Sequence, residues 1–125
     1  KKMKEISANY AEILRIIKTA NPDAEVYAMG YYFPYPQLDE KQKPRLVELT
    51  KTLNEVIASA AEQGGVTYVD VYSRFGDNAI HLLPNKKDIH PNAEGHKVMS
   101  EALLDEVIRG VRDIKGHWAE KKIQE

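Results

Sequence analysis

Three stretches of the chain space their apolar residues as a helix does, and two short stretches run apolar without a break. In residues 2–20, Ile6, Tyr10, Ile13, Leu14 and Ile17 share one face, with Lys, Glu and Arg elsewhere, which predicts an amphipathic helix. Asn21-Pro22-Asp23 stops it, because proline lacks the N–H that a continuing helix needs. Residues 24–29 (Val26, Tyr27, Ala28, Met29) predict a short buried strand, ended by Gly30. Residues 39–63 predict a second helix with Leu46, Leu49, Leu53, Val56, Ile57 and Ala60 on one face. Pro44 suits a first helical turn, so the regular part begins there, and Gly64-Gly65 ends it. Residues 66–71 are β-branched and largely apolar, as a strand covered on both faces would be. A third helix is predicted from about 92 to 109 on Ala93, Val98, Met99, Ala102, Leu103 and Val107, with Gly110 as its stop.

Helix, turn and apolar strand, repeated, is the grammar of an α/β fold with parallel strands joined by a right-handed helical crossover. Two loops remain. Tyr31-Tyr32-Phe33-Pro34-Tyr35-Pro36 follows the first strand. In open α/β sheets the ligand crevice lies at that end of the strands. The rings either cover the edge of the core or form a wall for an acyl or leaving group, with Tyr31, Tyr32 and Phe33 as the substrate-facing candidates. Residues 72–90 form a long second loop, with room for a short helix near 78–83; loops of that length in a small domain tend to be functional.

A chain of 125 residues is one domain by length, able to bury roughly two-thirds of its unfolded surface. The formal charge of −1, without a basic stripe, argues against a nucleic-acid surface. There is no cysteine, hence no disulfide framework and no thiolate metal site. No apolar run approaches the roughly 18 residues of a membrane span. The basic start, Lys1-Lys2-Met3-Lys4, has no apolar stretch after it, so it is not a signal peptide. A chain that does not open on methionine suggests that further residues lie upstream.

The richest chemistry lies in Asp88-Ile89-His90-Pro91-Asn92-Ala93-Glu94-Gly95-His96. Asn92 is a good helix N-cap and Glu94 suits the positive end of the helix dipole. His90 therefore sits in the turn that opens a helix. Asp88 can fold back to accept the Nδ1 proton, which fixes the tautomer and leaves Nε2 to take a proton from a nucleophile. Asp77 is a second carboxylate nearby in sequence. Metal binding is the competing chemistry, with Asp88, His90 and His96 as ligands and His81 or His117 added. But His90 and His96 do not share a helical face, and no HExxH pair exists; no cofactor or metal is expected. For a nucleophile, Ser7, Ser59 and Ser100 fall in predicted helices, and Ser73 lies in a loop without a strand-turn-helix elbow.

The string from Asp88 to His96 resembles the final block of the GDSL/SGNH hydrolases, which commonly reads D-x-x-H-P or D-x-I-H-P followed by N-x-x-G-H; here a single residue, Ile89, separates Asp88 from His90, and Lys87 stands three before the histidine. The resemblance extends to Met29-Gly30 and the loop after it. It implies a serine esterase, lipase or acylhydrolase with His90 as general base and Asp88 as its orienting acid. It also implies a flavodoxin-like three-layer fold with five parallel strands, of which this chain would supply the last two, with three main helices. The family's Gly-Asp-Ser nucleophile block and its oxyanion Gly and Asn have no counterpart here. The expectation is therefore the C-terminal half of such a domain over residues 1–110, inactive alone. It would self-associate, swap, or join its N-terminal half through the open sheet edge. Ester substrates in the family range over lipids, thioesters, arylesters and acetylated polysaccharides. In the tail, Asp113-Ile114-Lys115-Gly116-His117-Trp118-Ala119 with Ile123 resembles the opening turn of an S-layer homology module. Residues 111–125 would then be a linker and a truncated module start. This implies a secreted parent protein held at a bacterial cell surface through a wall polymer; a non-catalytic anchoring module is the alternative function.

Overall fold

A computed structural model describes the backbone of residues 2–124 and the side chains as far as residue 116. The elements are α1 (Lys2–Ala20), β1 (Tyr27–Met29), α2 (Lys43–Gln63), β2 (Thr67–Val69), α3 (Tyr72–Phe75) and α4 (Ala93–Gln124). The two strands pair in parallel, Tyr27 with Thr67, Ala28 with Tyr68 and Met29 with Val69. Among the described residues the architecture is α/β, with two parallel strands, three long helices and one single-turn helix. Among the described residues no helix is long and apolar enough to cross a membrane.

Alternation along the strands sends side chains to opposite faces, and each face buries its own cluster. Ala28 and Val66 pack with Leu14 of α1 and with Ile57 and Ala61 of α2; Tyr68 and Tyr10 close that layer. On the other face Val69 and Val71 meet Phe75 of α3, Leu82 and Leu83 of the following loop, and Ala102 of α4. Tyr27, Met29 and Tyr32 pack against this second cluster. The result is three layers, helices over and under a two-stranded ribbon.

Several expectations need correction. Both strands span three residues rather than six, although the Gly30 N–H to Val69 carbonyl bond (3.0 Å) and the Thr67 N–H to Val26 carbonyl bond (3.1 Å) carry the pairing slightly further. The short helix of the second loop is α3 at Tyr72–Phe75, not at 78–83. The carboxylate of Asp70 accepts from both the Ser73 N–H (3.0 Å) and its hydroxyl (2.5 Å), which favours a helical turn there. Residues 79–83 instead make tight turns. Gly110 does not stop α4, which continues to Gln124. Among the described residues only Gly65 and Gly76 adopt positive φ, so Gly110 takes no left-handed cap conformation.

The faces of the helices also differ from the periodic reading. On α1, Leu14 is buried and Tyr10 partly so, while Ile13, Ile16 and Ile17 are exposed. Leu49 of α2 is exposed, and the polar residues Lys43 and Asn54 are buried on its inward side. Each buried polar group has partners. Lys43 Nζ donates to the Pro36 carbonyl at 3.1 Å and, closely, to the Asn78 side-chain oxygen. Asn54 accepts from the Tyr31 N–H at 2.8 Å and donates to the Tyr31 carbonyl at 2.9 Å. Periodicity counts apolar positions and misses such ties, because each polar side chain is buried for the sake of one backbone partner.

Candidate active site

Both loops leave the same end of the strands. The first departs at Gly30, in a space with no room for a side chain. A Cβ there would collide with the Tyr68 hydroxyl and ring, and would sit 3.0 Å from the Asn54 oxygen. Glycine lets β1 turn directly over Tyr68, and Asn54 then seizes both polar groups of Tyr31. Beyond that point the two loops brace each other. Besides the Lys43 ties, Gln37 Nε2 donates to the carbonyls of Leu83 (3.2 Å) and Pro84 (3.0 Å). The Tyr32 hydroxyl donates to the Ile89 carbonyl at 2.6 Å.

Asp88 and His90 meet as expected. Asp88 Oδ1 lies 2.5 Å from His90 Nδ1 and also accepts the backbone N–H of His90 at 2.9 Å. The pair sits at the surface, with the imidazole side chain 80% exposed and the carboxylate 48%. The His90 backbone N–H, then its ring, hold the Asp88 carboxyl below its ordinary value, against a small opposing effect of desolvation. With Nδ1 facing the carboxylate, Nε2 makes no hydrogen bond among the described residues. Asp77 is engaged elsewhere, accepting a close hydrogen bond from the Tyr72 hydroxyl.

The helix behind this pair is locked in place. Asn92 Oδ1 accepts the Gly95 N–H (2.9 Å), the capping bond expected of it. Its Nδ2 donates to the His81 carbonyl (2.8 Å), and its backbone N–H donates to the Leu82 carbonyl (2.9 Å). Gly95 packs so tightly that an added Cβ would meet Pro91 Cβ at 2.5 Å and the Leu82 carbonyl at 3.2 Å.

The aromatic loop divides. Tyr31 and Tyr32 line an apolar cleft of about 490 Å³ with Met29, Pro34, Leu53, Ile89 and Met99. Ile89 puts that cleft directly beside the Asp88–His90 pair. Phe33, grouped with them on sequence, has no exposed surface and lines no part of the cleft. Its ring lies edge-on to Tyr35, with centroids 6.4 Å apart, so it belongs to the interior. The loop therefore splits: Phe33 covers the core, while Tyr31 and Tyr32 line the cleft.

Of the serines, the Ser73 hydroxyl donates to Asp70, Ser100 to the His96 carbonyl (2.9 Å), and Ser59 accepts from Gln63 (3.4 Å). None of these bonds reaches an imidazole. His96 is exposed on the first turn of α4, and its N–H bonds the Asn92 carbonyl as part of the helix (3.0 Å). Among the described residues no three His, Cys, Asp or Glu side chains gather as metal ligands. The side chains of His117 and Trp118 lie outside the described residues. Sequence reading missed Asn54, Lys43 and Gln37 as braces. Asn54 carried the one available signal, a polar residue seven positions from both Val47 and Ala61 on a buried stripe.

A search of curated proteins finds no match to this chain. The family model described as the GDSL-like Lipase/Acylhydrolase family matches residues 2–98. That span takes in α1, both strands, α2, α3 and the Asp88–His90 loop, and ends within the first turns of α4. Residues 113–119 lie outside it. With that match over most of its length, the chain belongs to the GDSL-like lipase/acylhydrolase family.

Proposed function

We propose that this chain carries the acid–base half of a serine ester hydrolase, with His90 as general base and Asp88 as its orienting carboxylate. The observation that carries the reading is the 2.5 Å Asp88–His90 contact, made through Nδ1 on an exposed imidazole whose chain neighbour Ile89 lines an apolar cleft. In this scheme Nε2 removes the proton from a serine hydroxyl as its oxygen bonds to the ester carbonyl carbon. The tetrahedral intermediate collapses, the carbon–oxygen bond to the alcohol breaks, and His90 returns the proton to the departing oxygen. Water then repeats the sequence on the acyl-enzyme and releases the acid. Asp88 keeps the imidazole in the required tautomer and stabilises the imidazolium. The serine belongs to a Gly-Asp-Ser segment, and the oxyanion Gly and Asn to further segments, docked along the open edge of β1; self-association through that edge is the competing occupancy. The cleft between Tyr31 and Ile89 receives the acyl or leaving group. Attachment of the parent protein to a bacterial cell wall rests on the tail resemblance alone.

The test is p-nitrophenyl acetate hydrolysis by this chain alone, then mixed with the upstream segment, with His90→Ala as control. Activity on mixing that the substitution abolishes is the expected result. Activity from the chain alone would place the nucleophile within these residues. A reconstituted mixture with no activity on this or longer-chain esters would leave the family fold without the proposed chemistry.

A further inference from the structure

We infer that Tyr32 is a positioning residue for the Asp88–His90 pair, acting through its hydroxyl on the Ile89 carbonyl; the inference rests on the acid–base reading above. Every residue from Asn85 to His90, beyond the Gln37 tie to Pro84, is exposed, so packing does little to hold the segment. Within it, Asn85 bonds Lys87 and Asp88, and Asp88 bonds His90. These contacts shape the loop but do not fix it to the rest of the molecule. Among the described residues, a single hydrogen bond reaches residues 85–90 from outside, and it is the one from Tyr32 at 2.6 Å.

The accepting peptide group is well chosen. Ile89 lies between the two catalytic candidates, so its carbonyl sets the orientation of the peptide unit whose N–H, that of His90, bonds Asp88. Rotation of that unit would draw the His90 N–H away from Oδ1, and the ring contact with it. Tyr32 is itself fixed from below. Its ring stacks on Phe75, with centroids 4.9 Å apart and planes at 19°, and Phe75 is buried in the cluster under β2. The brace thus runs from the core through two stacked rings to one carbonyl. Burial, and then the charge of Asp88, push the Tyr32 phenol above its ordinary value, which keeps the hydroxyl a donor at any physiological pH.

The readout is the tautomer of neutral His90, seen in long-range ¹H–¹⁵N spectra of this chain, with thermal melts as a control for folding. In the unmodified chain the Nδ1–H form is expected to predominate, because Asp88 accepts that proton. Tyr32→Phe keeps the ring stack and removes the donor. It should shift His90 toward the Nε2–H form that free imidazole prefers, with the melting temperature little changed. Phe75→Leu removes the stack but leaves the hydroxyl, and should disturb the tautomer less than Tyr32→Phe. If Tyr32→Phe leaves the Nδ1–H form intact, or Phe75→Leu moves it more, Tyr32 is packing and the inference is overturned. If the unmodified chain already shows the Nε2–H form, the Asp88–His90 reading itself fails.

Discussion

Residues 88–90 and 91–95 are contiguous in one motif, yet the structure treats them in opposite ways. Asn92 uses its side-chain oxygen, its amide nitrogen and its backbone N–H, and Gly95 sits where no Cβ fits. Asp88 and His90 bond each other and are open to solvent. The second half of the motif fixes where α4 begins and ties it to the turns at 79–83. The first half is displayed from that fixed point. The difference teaches that one string can serve two purposes. The P-N-x-x-G portion answers to packing and capping, and the D-x-H portion, which packing does not require, is the part the proposed chemistry would use.

Substitutions should separate the halves cleanly. The largest effect is expected from His90→Ala in the assembled enzyme. Loss of a general base that acts with its nucleophile as a unit lowers kcat by on the order of 10³–10⁴-fold. An exposed side chain away from the core should change folding stability by less than about 0.5 kcal/mol. Parallel ester-hydrolysis assays and urea melts check both statements, and a strongly destabilised His90→Ala would erase the contrast. Gly95→Val should do the reverse. Its branched side chain must displace Pro91 or the Leu82 carbonyl, at a cost of about 1–3 kcal/mol in the chain's own urea melt. Asn92→Ala should follow at about 1–2 kcal/mol, since it removes the cap and leaves the Gly95 N–H and His81 carbonyl without that partner.

This division also explains what was legible in the sequence. The three long helices and the strand positions follow from apolar spacing, and the Asp88–His90 contact follows from two residues flanking one position in a turn. Asn92 was readable as a cap because capping is local. The extent of α4 was not, because a glycine stops a helix only where the backbone turns left-handed, and Gly110 does not. Nor was the fate of Tyr31, Tyr32 and Phe33 readable one by one. Three adjacent rings score alike by type, and only the register set by Gly30 and Asn54 sends Phe33 inward and Tyr32 toward Ile89. Braces such as Lys43 to Asn78 join residues 35 apart, and no local pattern marks them.

The smallest expected effect is also the finest test of the comparison. Asp88 has a folded-state value below the ordinary 3.8, with the His90 backbone N–H as the first cause and the ring as the second. For a carboxyl lowered on folding, the stabilisation is fully present above the ordinary value and is lost as pH falls through the lowered one. Between pH 5 and 7 the carboxylate therefore stays charged, and its bonds should loosen only below about pH 4. A ¹³C titration of the Asp88 carboxyl should show a midpoint lower than in a short peptide of the same sequence. The His90 amide should move with it. The Gly95 amide, bonded to a neutral Asn92, should not move in that window. In His90→Ala the backbone N–H remains, so part of the lowering should survive. Complete loss would mean that the ring, not the peptide, organises the pair. Movement of Gly95 together with His90 would show that the two halves of the motif are one mechanical unit after all.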